Sequence, residues 1–130
     1  MTLELLLEAA KEAREKAYAP YSNFKVGASV ETKSGKMFTG CNIENSSYSL
    51  TCCAERVAIF KALSSGERDF RTLVVVGDVK GPISPCGACR QVMSEFFDDD
   101  VKIYLANLQG DITETTISEL LPRSFSLDEQ

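Results

Sequence analysis

The sequence predicts an α/β fold in three layers, α/β/α, built on a central mixed sheet of about five strands. Three observations carry that expectation. The stretch "TLVVVGD" is a continuous run rich in β-branched residues, the mark of a strand covered on both faces. "FKVGASVE" and "KMFTGCNI" flank the turn signal "TKSG" and so read as a hairpin. Helical and strand patterns then alternate to the end of the chain, which places helices against both faces of a sheet.

The elements follow in order. Leu3, Leu6, Leu7, Ala10, Ala13 and Ala17 recur at helical spacing, with Thr2 able to cap the start and Pro20 closing the stretch. After the hairpin, "CAERVAIFKALSSG" reads as a helix from about Cys53, with Gly66 at its C-terminal end. Beyond the "TLVVVGD" strand, Ser84 and Pro85 look like the N-cap and first residue of another helix ending near Phe97. "VKIYLAN" is a further strand and "ITETT" the last. Thr116 and Glu119 have capping-box spacing ahead of a short final helix, "ISELL".

No linker, repeat or low-complexity segment interrupts the 130 residues, so one domain over 1–130 is expected. The 44% hydrophobic and 25% charged residues are those of an ordinary soluble protein. The formal net charge of −5 argues against a nucleic acid partner, which would require a basic face. No apolar run approaches the ~18 residues of a membrane span. "MTLELLLEAAKEARE" lacks the basic start and cleavage site of a signal peptide, so the cytoplasm is the expected address.

Five cysteines in a chain with no secretion signal favour reduced thiols over a disulfide framework. Cys86 and Cys89 in "SPCGACRQV" form a Cys-x-x-Cys pair at a helix start, where the unpaired N–H groups favour thiolate. Such a pair is half of a zinc site or a redox couple, but redox pairs of this kind sit in the first βα turn of their fold, whereas this one lies two thirds along. "SLTCCAERV" puts Cys53 at a second helix start, with Ser49 or Thr51 available to cap it. Two converging helix N-termini would supply three thiolates and leave one position open, the pattern of a catalytic zinc. Glu55 would stand near that position and handle protons; taken alone it is an acid in a first turn, favoured by the helix dipole. Cys41 and Cys52 read as small packed residues, not ligands.

Cys-Ala-Glu followed some thirty residues later by Pro-Cys-x-x-Cys resembles the zinc-dependent deaminases of nucleobases, whose signature and chemistry are established for that superfamily. Cysteine where many members carry histidine is similar to the small cytidine deaminases that assemble as homotetramers. "AYAPYSNFKVGA", "GCNIENSSYSLTCCAER", "SPCGACRQV" and "ELLPRSF" resemble segments of that family and span nearly the whole chain. With no histidine present, the metal site must be all-cysteine, which this family tolerates.

The resemblance implies hydrolytic deamination of cytidine and deoxycytidine to uridine and deoxyuridine with release of ammonia, using one Zn2+ per chain held by Cys53, Cys86 and Cys89. Glu55 would act as base and then acid. Arg56 would offset the excess negative charge of three thiolates, where pattern alone gives a surface arginine. Asn42 and Glu44 would hydrogen-bond the ribose hydroxyls, although "NIEN" by itself is a strand end and loop. Phe24 would stack on the pyrimidine, the Ala54 backbone would contact the base, and Tyr48 would help form a pocket, its own or a neighbour's. Phe125 would reach from one subunit into the site of another, so that active sites are shared within the tetramer. The alternatives are a deaminase of a cytosine-containing antibiotic such as blasticidin S and, from another class, a zinc or thiol-redox binding module. Relatives of the first kind lack a matching "NIEN" segment.

Overall fold

A computed structural model describes residues 1–127. Its elements are α1 (Leu3–Arg14), β1 (Val26–Thr32), β2 (Met37–Cys41), a 3-10 turn (Tyr48–Leu50), α2 (Ala54–Ser64), β3 (Phe70–Gly77), α3 (Gly87–Phe96), β4 (Lys102–Ala106), β5 (Ile112–Thr115) and α4 (Ile117–Leu120). The five strands form one mixed sheet in the order β2-β1-β3-β4-β5. Only β3 and β4 run parallel, with Leu73 opposite Ile103 and Val75 opposite Leu105; the other pairs are antiparallel. A parallel pair needs a crossover, and α3 supplies it.

The alternation of side chains along β3 and β4 divides the core in two. Leu73, Val75, Ile103 and Leu105 face α2 and α3, where Ala54, Ala58, Ile59, Ala62, Cys89 and Met93 complete the larger cluster. Val74, Val76 and Ala106 face the opposite way and pack on Leu6 and Ala10 of α1. The predicted three-layer α/β/α arrangement with its five-stranded mixed sheet is therefore the one observed. α1 begins as expected, the Thr2 hydroxyl accepting from the Leu5 amide at 3.2 Å. It is fixed to the sheet by the buried Ser29 hydroxyl, which donates to Leu6 O at 2.6 Å.

α2 lies on the sheet through small residues: Ala54, Ala58 and Ala62 are fully buried. Gly40 of β2 admits this close approach, because a Cβ there would stand 2.5 Å from both Ala54 O and Ala58 N. The sheet thus holds the start of α2 by backbone-to-backbone contact. That is what positions the chemistry described next.

Three helix caps differ from expectation. α3 begins at Gly87 with Cys86 as its N-cap, two residues later than Ser84 and Pro85 suggested, because the Cys86 sulfur accepts from the Cys89 amide and takes the capping place. Neither Ser49 nor Thr51 caps α2; Cys53 is the N-cap, and the Thr51 hydroxyl accepts from the Asn45 amide instead. The Thr116–Glu119 capping box does not form, since the Thr116 hydroxyl lies 3.3 Å from Ser118 Oγ and 3.5 Å from Glu119 Oε1 and caps no amide.

Candidate active site

Two helix starts converge on one point. Cys53 is the N-cap of α2, Cys86 the N-cap of α3, and Cys89 lies in the first turn of α3. Their three sulfurs all fall within 4.8 Å of one another, with Cys53 to Cys86 at 3.8 Å and Cys86 to Cys89 at 3.3 Å. Sulfurs bound ~2.3 Å from one tetrahedral ion stand ~3.8 Å apart, so this donor set fits zinc. Burial is graded across the cluster: Cys89 is buried, Cys53 half-buried and Cys86 exposed. Cys41 and Cys52 are outside the cluster. Cys52 is in an extended bridge to Ile43, where neighbouring side chains point apart.

The charge distribution around the sulfurs suits thiolate ligands. Cys53 is the thiol that ionises most readily, brought down to about 5 by a hydrogen bond from Cys89, with Arg56 and Cys86 adding to it against the cost of burial. Cys89, whose proton serves that bond, is pushed up by it and by burial. Arg56 Nη2 donates to Cys53 Sγ at 3.4 Å and to Thr51 O at 3.3 Å. Its Nε is buried with no hydrogen-bond partner among the described residues. A guanidinium held this way, under the sulfurs, is what a cluster of thiolates on a dication requires, and Cys53 in turn raises the Arg56 pKa further.

Glu55 follows Cys53 by two residues and is 4% exposed. Burial, foremost, and the neighbouring Cys53 raise its carboxyl above the ordinary range, although backbone hydrogen bonding and Arg56 oppose this. A buried carboxyl whose proton is held more tightly than usual can serve as base and then acid beside a reacting group.

In front of these groups lies a cleft of about 260 Å³ at the carboxyl end of β3, lined by Phe24, Asn42, Glu44, Cys53, Ala54, Glu55 and Cys86, with Ser22, Val26, Thr51, Ile83 and Ser84 completing the wall. Phe24 and Ile83 pack over Gly77, where an added Cβ would meet Phe24 Cζ at 3.2 Å and Ile83 Cδ1 at 2.4 Å. Asn42 is turned partly to structure: its Oδ1 accepts from the Val26 amide at 2.9 Å and its Nδ2 donates to Phe24 O at 2.8 Å. Glu44 accepts from the amides of Tyr21 (2.9 Å) and Ser22 (3.1 Å) and from the Ser22 hydroxyl (2.5 Å). Those bonds, the Ser22 hydroxyl first, hold its carboxylate below the usual range.

Two expected residues stand apart. Tyr48 is 77% exposed, stacked edge-on against Tyr21 at 6.4 Å, and lines an adjoining hollow with Ser22, Glu44 and Thr51. Phe125 is 55% exposed on the C-terminal segment and does not line the cleft of its own chain. The sequence does not single out Ser22, Val26, Thr51, Ile83 or Ser84 as lining residues. Ser84 and Thr51 read there as helix caps, and Ser22, Val26 and Ile83 carry no chemistry that spacing would mark.

Three sulfur donors at the meeting of two helix starts, facing a cleft with a buried carboxyl beside them, would hold a dication of the catalytic kind, which sets the class as a hydrolytic zinc enzyme. Residues 1–105 match the family model described as the cytidine and deoxycytidylate deaminase zinc-binding region. A cytidine deaminase of Sporosarcina psychrophila is 55% identical over 129 residues, which span 99% of this chain and 95% of that protein. The crystal structure of cytidine deaminase from Burkholderia pseudomallei superposes with a TM-score of 0.94 at 57% identity, covering 96% of this chain and 100% of that one. A blasticidin-S deaminase of Bacillus cereus is more distant, 35% identical over 130 residues and covering 92% of this chain and 91% of that one. The chain belongs to the cytidine deaminase family.

Proposed function

We propose that this chain hydrolyses cytidine and deoxycytidine to uridine and deoxyuridine with release of ammonia, as one catalytic domain over residues 1–130. The observation that carries the reading is the buried Glu55 carboxyl two residues from Cys53, facing the same cleft as Phe24, Asn42 and Glu44. Zinc held by Cys53, Cys86 and Cys89 would supply the Lewis acidity that makes water a nucleophile near neutral pH. The chain's own groups do the rest. Glu55 takes a proton from the attacking water at its carboxylate and delivers it to N3 of the base. It then takes the remaining proton from the hydroxyl added at C4 and passes it to the amine, which leaves as ammonia while the C4 carbonyl forms. Phe24 presents its ring to the pyrimidine, while the Ala54 backbone fixes the edge of the base. Asn42 and Glu44 hold the ribose hydroxyls, Glu44 with its carboxylate favoured by the Ser22 hydroxyl and by the amides of Ser22 and Tyr21. Arg56 moderates the charge of the thiolates so that the activated water is not too basic.

Tyr48 and Phe125 are proposed to serve a neighbouring subunit's cleft within a homotetramer, which their exposure here supports. Among the described residues no helix is long and apolar enough to cross a membrane. We assign this activity to pyrimidine salvage in the cytoplasm, acting on the free nucleoside.

The test is loss of cytidine absorbance in the ultraviolet, with and without chelator, on the parent and on Glu55→Ala. The parent should turn over cytidine and lose activity with its zinc. Glu55→Ala should keep zinc and fold but fall by at least ~10²-fold, the usual contribution of general acid–base catalysis. Activity within tenfold of the parent would remove Glu55 from the mechanism.

A further inference from the structure

Arg90, one residue beyond Cys89 in α3, commits its guanidinium to three neutral oxygens. Nε donates to Pro85 O at 3.0 Å, Nη2 to Ser84 Oγ at 2.7 Å and Nη1 to Leu120 O at 2.7 Å. The first two acceptors lie just ahead of Cys86, in the stretch between β3 and α3 that has neither helix nor strand. Pro85 brings no N–H of its own to fix that backbone. Cys86 is the exposed member of the metal cluster; its carbonyl accepts from the Arg90 amide at 3.0 Å, and its sulfur meets the Cys89 amide at 3.5 Å and the Cys89 sulfur at 3.3 Å, all ties to α3. The side chain of Arg90 adds short bonds to Ser84 and Pro85, the two residues that lead into that turn.

The third acceptor belongs to another part of the chain. Leu120 closes α4, where a helix leaves carbonyls without an amide partner. The adjacent Gln91 reaches the same segment further on, its Nε2 donating to Phe125 O at 3.2 Å. One turn of α3 thus grips both the approach to Cys86 and the C-terminal segment from Leu120 onward.

We propose that Arg90 is a positioning residue which holds the Ser84–Cys86 turn in its metal-binding place and ties that turn to the C-terminal segment. The proposal rests only on the three-cysteine metal site and stands whatever nucleoside the cleft accepts. Its mechanism is geometric: a planar guanidinium offers N–H groups in three fixed directions, whereas a lysine ammonium is a single point on a flexible stem. All three acceptors being neutral, charge retention alone does not replace the fork. Arg56, in contrast, touches a sulfur directly and acts through its charge.

The experiment uses the full-length zinc protein and Arg90→Lys, Arg90→Met and Ser84→Ala. Zinc transfer to excess chromophoric chelator is timed, the cobalt(II)-substituted proteins are compared by their thiolate-to-metal absorption, and trypsin cleavage after Arg123 is followed. Both Arg90 variants should release zinc about 10-fold or more faster, the usual effect of losing a group that orients a ligand. Their cobalt bands should shift, and Arg123 should be cut faster. Ser84→Ala loses one arm and should release zinc modestly faster with Arg123 cleavage unchanged. If Arg90→Met does not fold, Arg90→Lys and Ser84→Ala decide. Parental zinc release in Arg90→Lys would overturn the positioning role, and unchanged Arg123 cleavage in a variant that does release zinc faster would overturn the tie to the C-terminal segment.

Discussion

Glu44 and Glu55 are both carboxyls on the wall of one cleft, and their surroundings push them apart. Glu55 is buried and raised, whereas Glu44 is half-buried and lowered, chiefly by the Ser22 hydroxyl. The two can therefore hold different protonation states at one pH, which is what a proton shuttle beside a sugar-binding carboxylate needs. Ser22 also accepts from the Phe24 amide at 3.0 Å, so a single hydroxyl links the sugar end of the cleft to its aromatic wall. Ser22→Ala should let the Glu44 pKa rise toward its ordinary value. Glu44 would then be protonated at higher pH than in the parent, so the acid limb of kcat/KM should move to higher pH, with the loss at mildly acidic pH and little change above neutrality. A pH profile of both proteins checks this; superimposable acid limbs would separate Ser22 from Glu44. None of this was legible in the sequence, where Ser22 is one polar residue in a loop. The three ligands and Glu55 were legible, because Cys-Ala-Glu and Pro-Cys-x-x-Cys each put chemistry at a helix start, and two such starts of complementary donor count have few other uses.

At the scale of elements, period and turn chemistry identify the nine α-helices and strands of the described residues, while three of the helix caps differ from expectation. Cysteine is a poor capping residue by statistics, so Ser84, Ser49 and Thr51 looked better than Cys86 and Cys53. Here two cysteines take the N-cap positions, and the Cys53 and Cys86 sulfurs stand 3.8 Å apart between the two helix ends. The 3-10 turn Tyr48–Leu50 was also missed, since a single turn carries no periodic signal. What holds the two ends in register is the packing of α2 on the hairpin. Gly40→Ala puts a Cβ 2.5 Å from Ala54 O and Ala58 N and 2.9 Å from Val57 Cβ, where backbone cannot yield without moving the helix. The expected cost is about 1–3 kcal/mol, seen as a Tm lowered by several degrees. Because the displaced turn carries Cys53 and Glu55, turnover should fall by more than the loss of folded protein explains. Parental Tm and kcat together would show that α2 is not seated by this contact.

For the whole molecule, the surface around the cleft is unlike that of a self-sufficient monomer. Tyr18, Tyr21, Tyr48, Leu50 and Phe125 expose 48–77% of their surface, and Tyr21 and Tyr48 line the hollow that adjoins the cleft. Single exposed apolar residues are ordinary, but a group of aromatics next to a catalytic cleft marks a surface made to be covered. A second copy of the chain is the cover that the proposed shared site requires. Phe125 provides the test, because it stands outside its own cleft while its backbone oxygen accepts from Gln91 Nε2. Phe125→Ala should weaken substrate binding or turnover and leave zinc content unchanged, since no ligand is touched. Glu55→Ala should be inactive for a different reason, the missing proton carrier. If one subunit's Phe125 completes another's cleft, mixing and reassembling the two variants should restore part of the activity. Some clefts would then pair an intact Glu55 from one chain with an intact Phe125 from another, and water exclusion there would be regained. Sizing and assay across dilution complete the test: specific activity should fall as the assembly dissociates, and a monomer with full activity would end the shared-site reading.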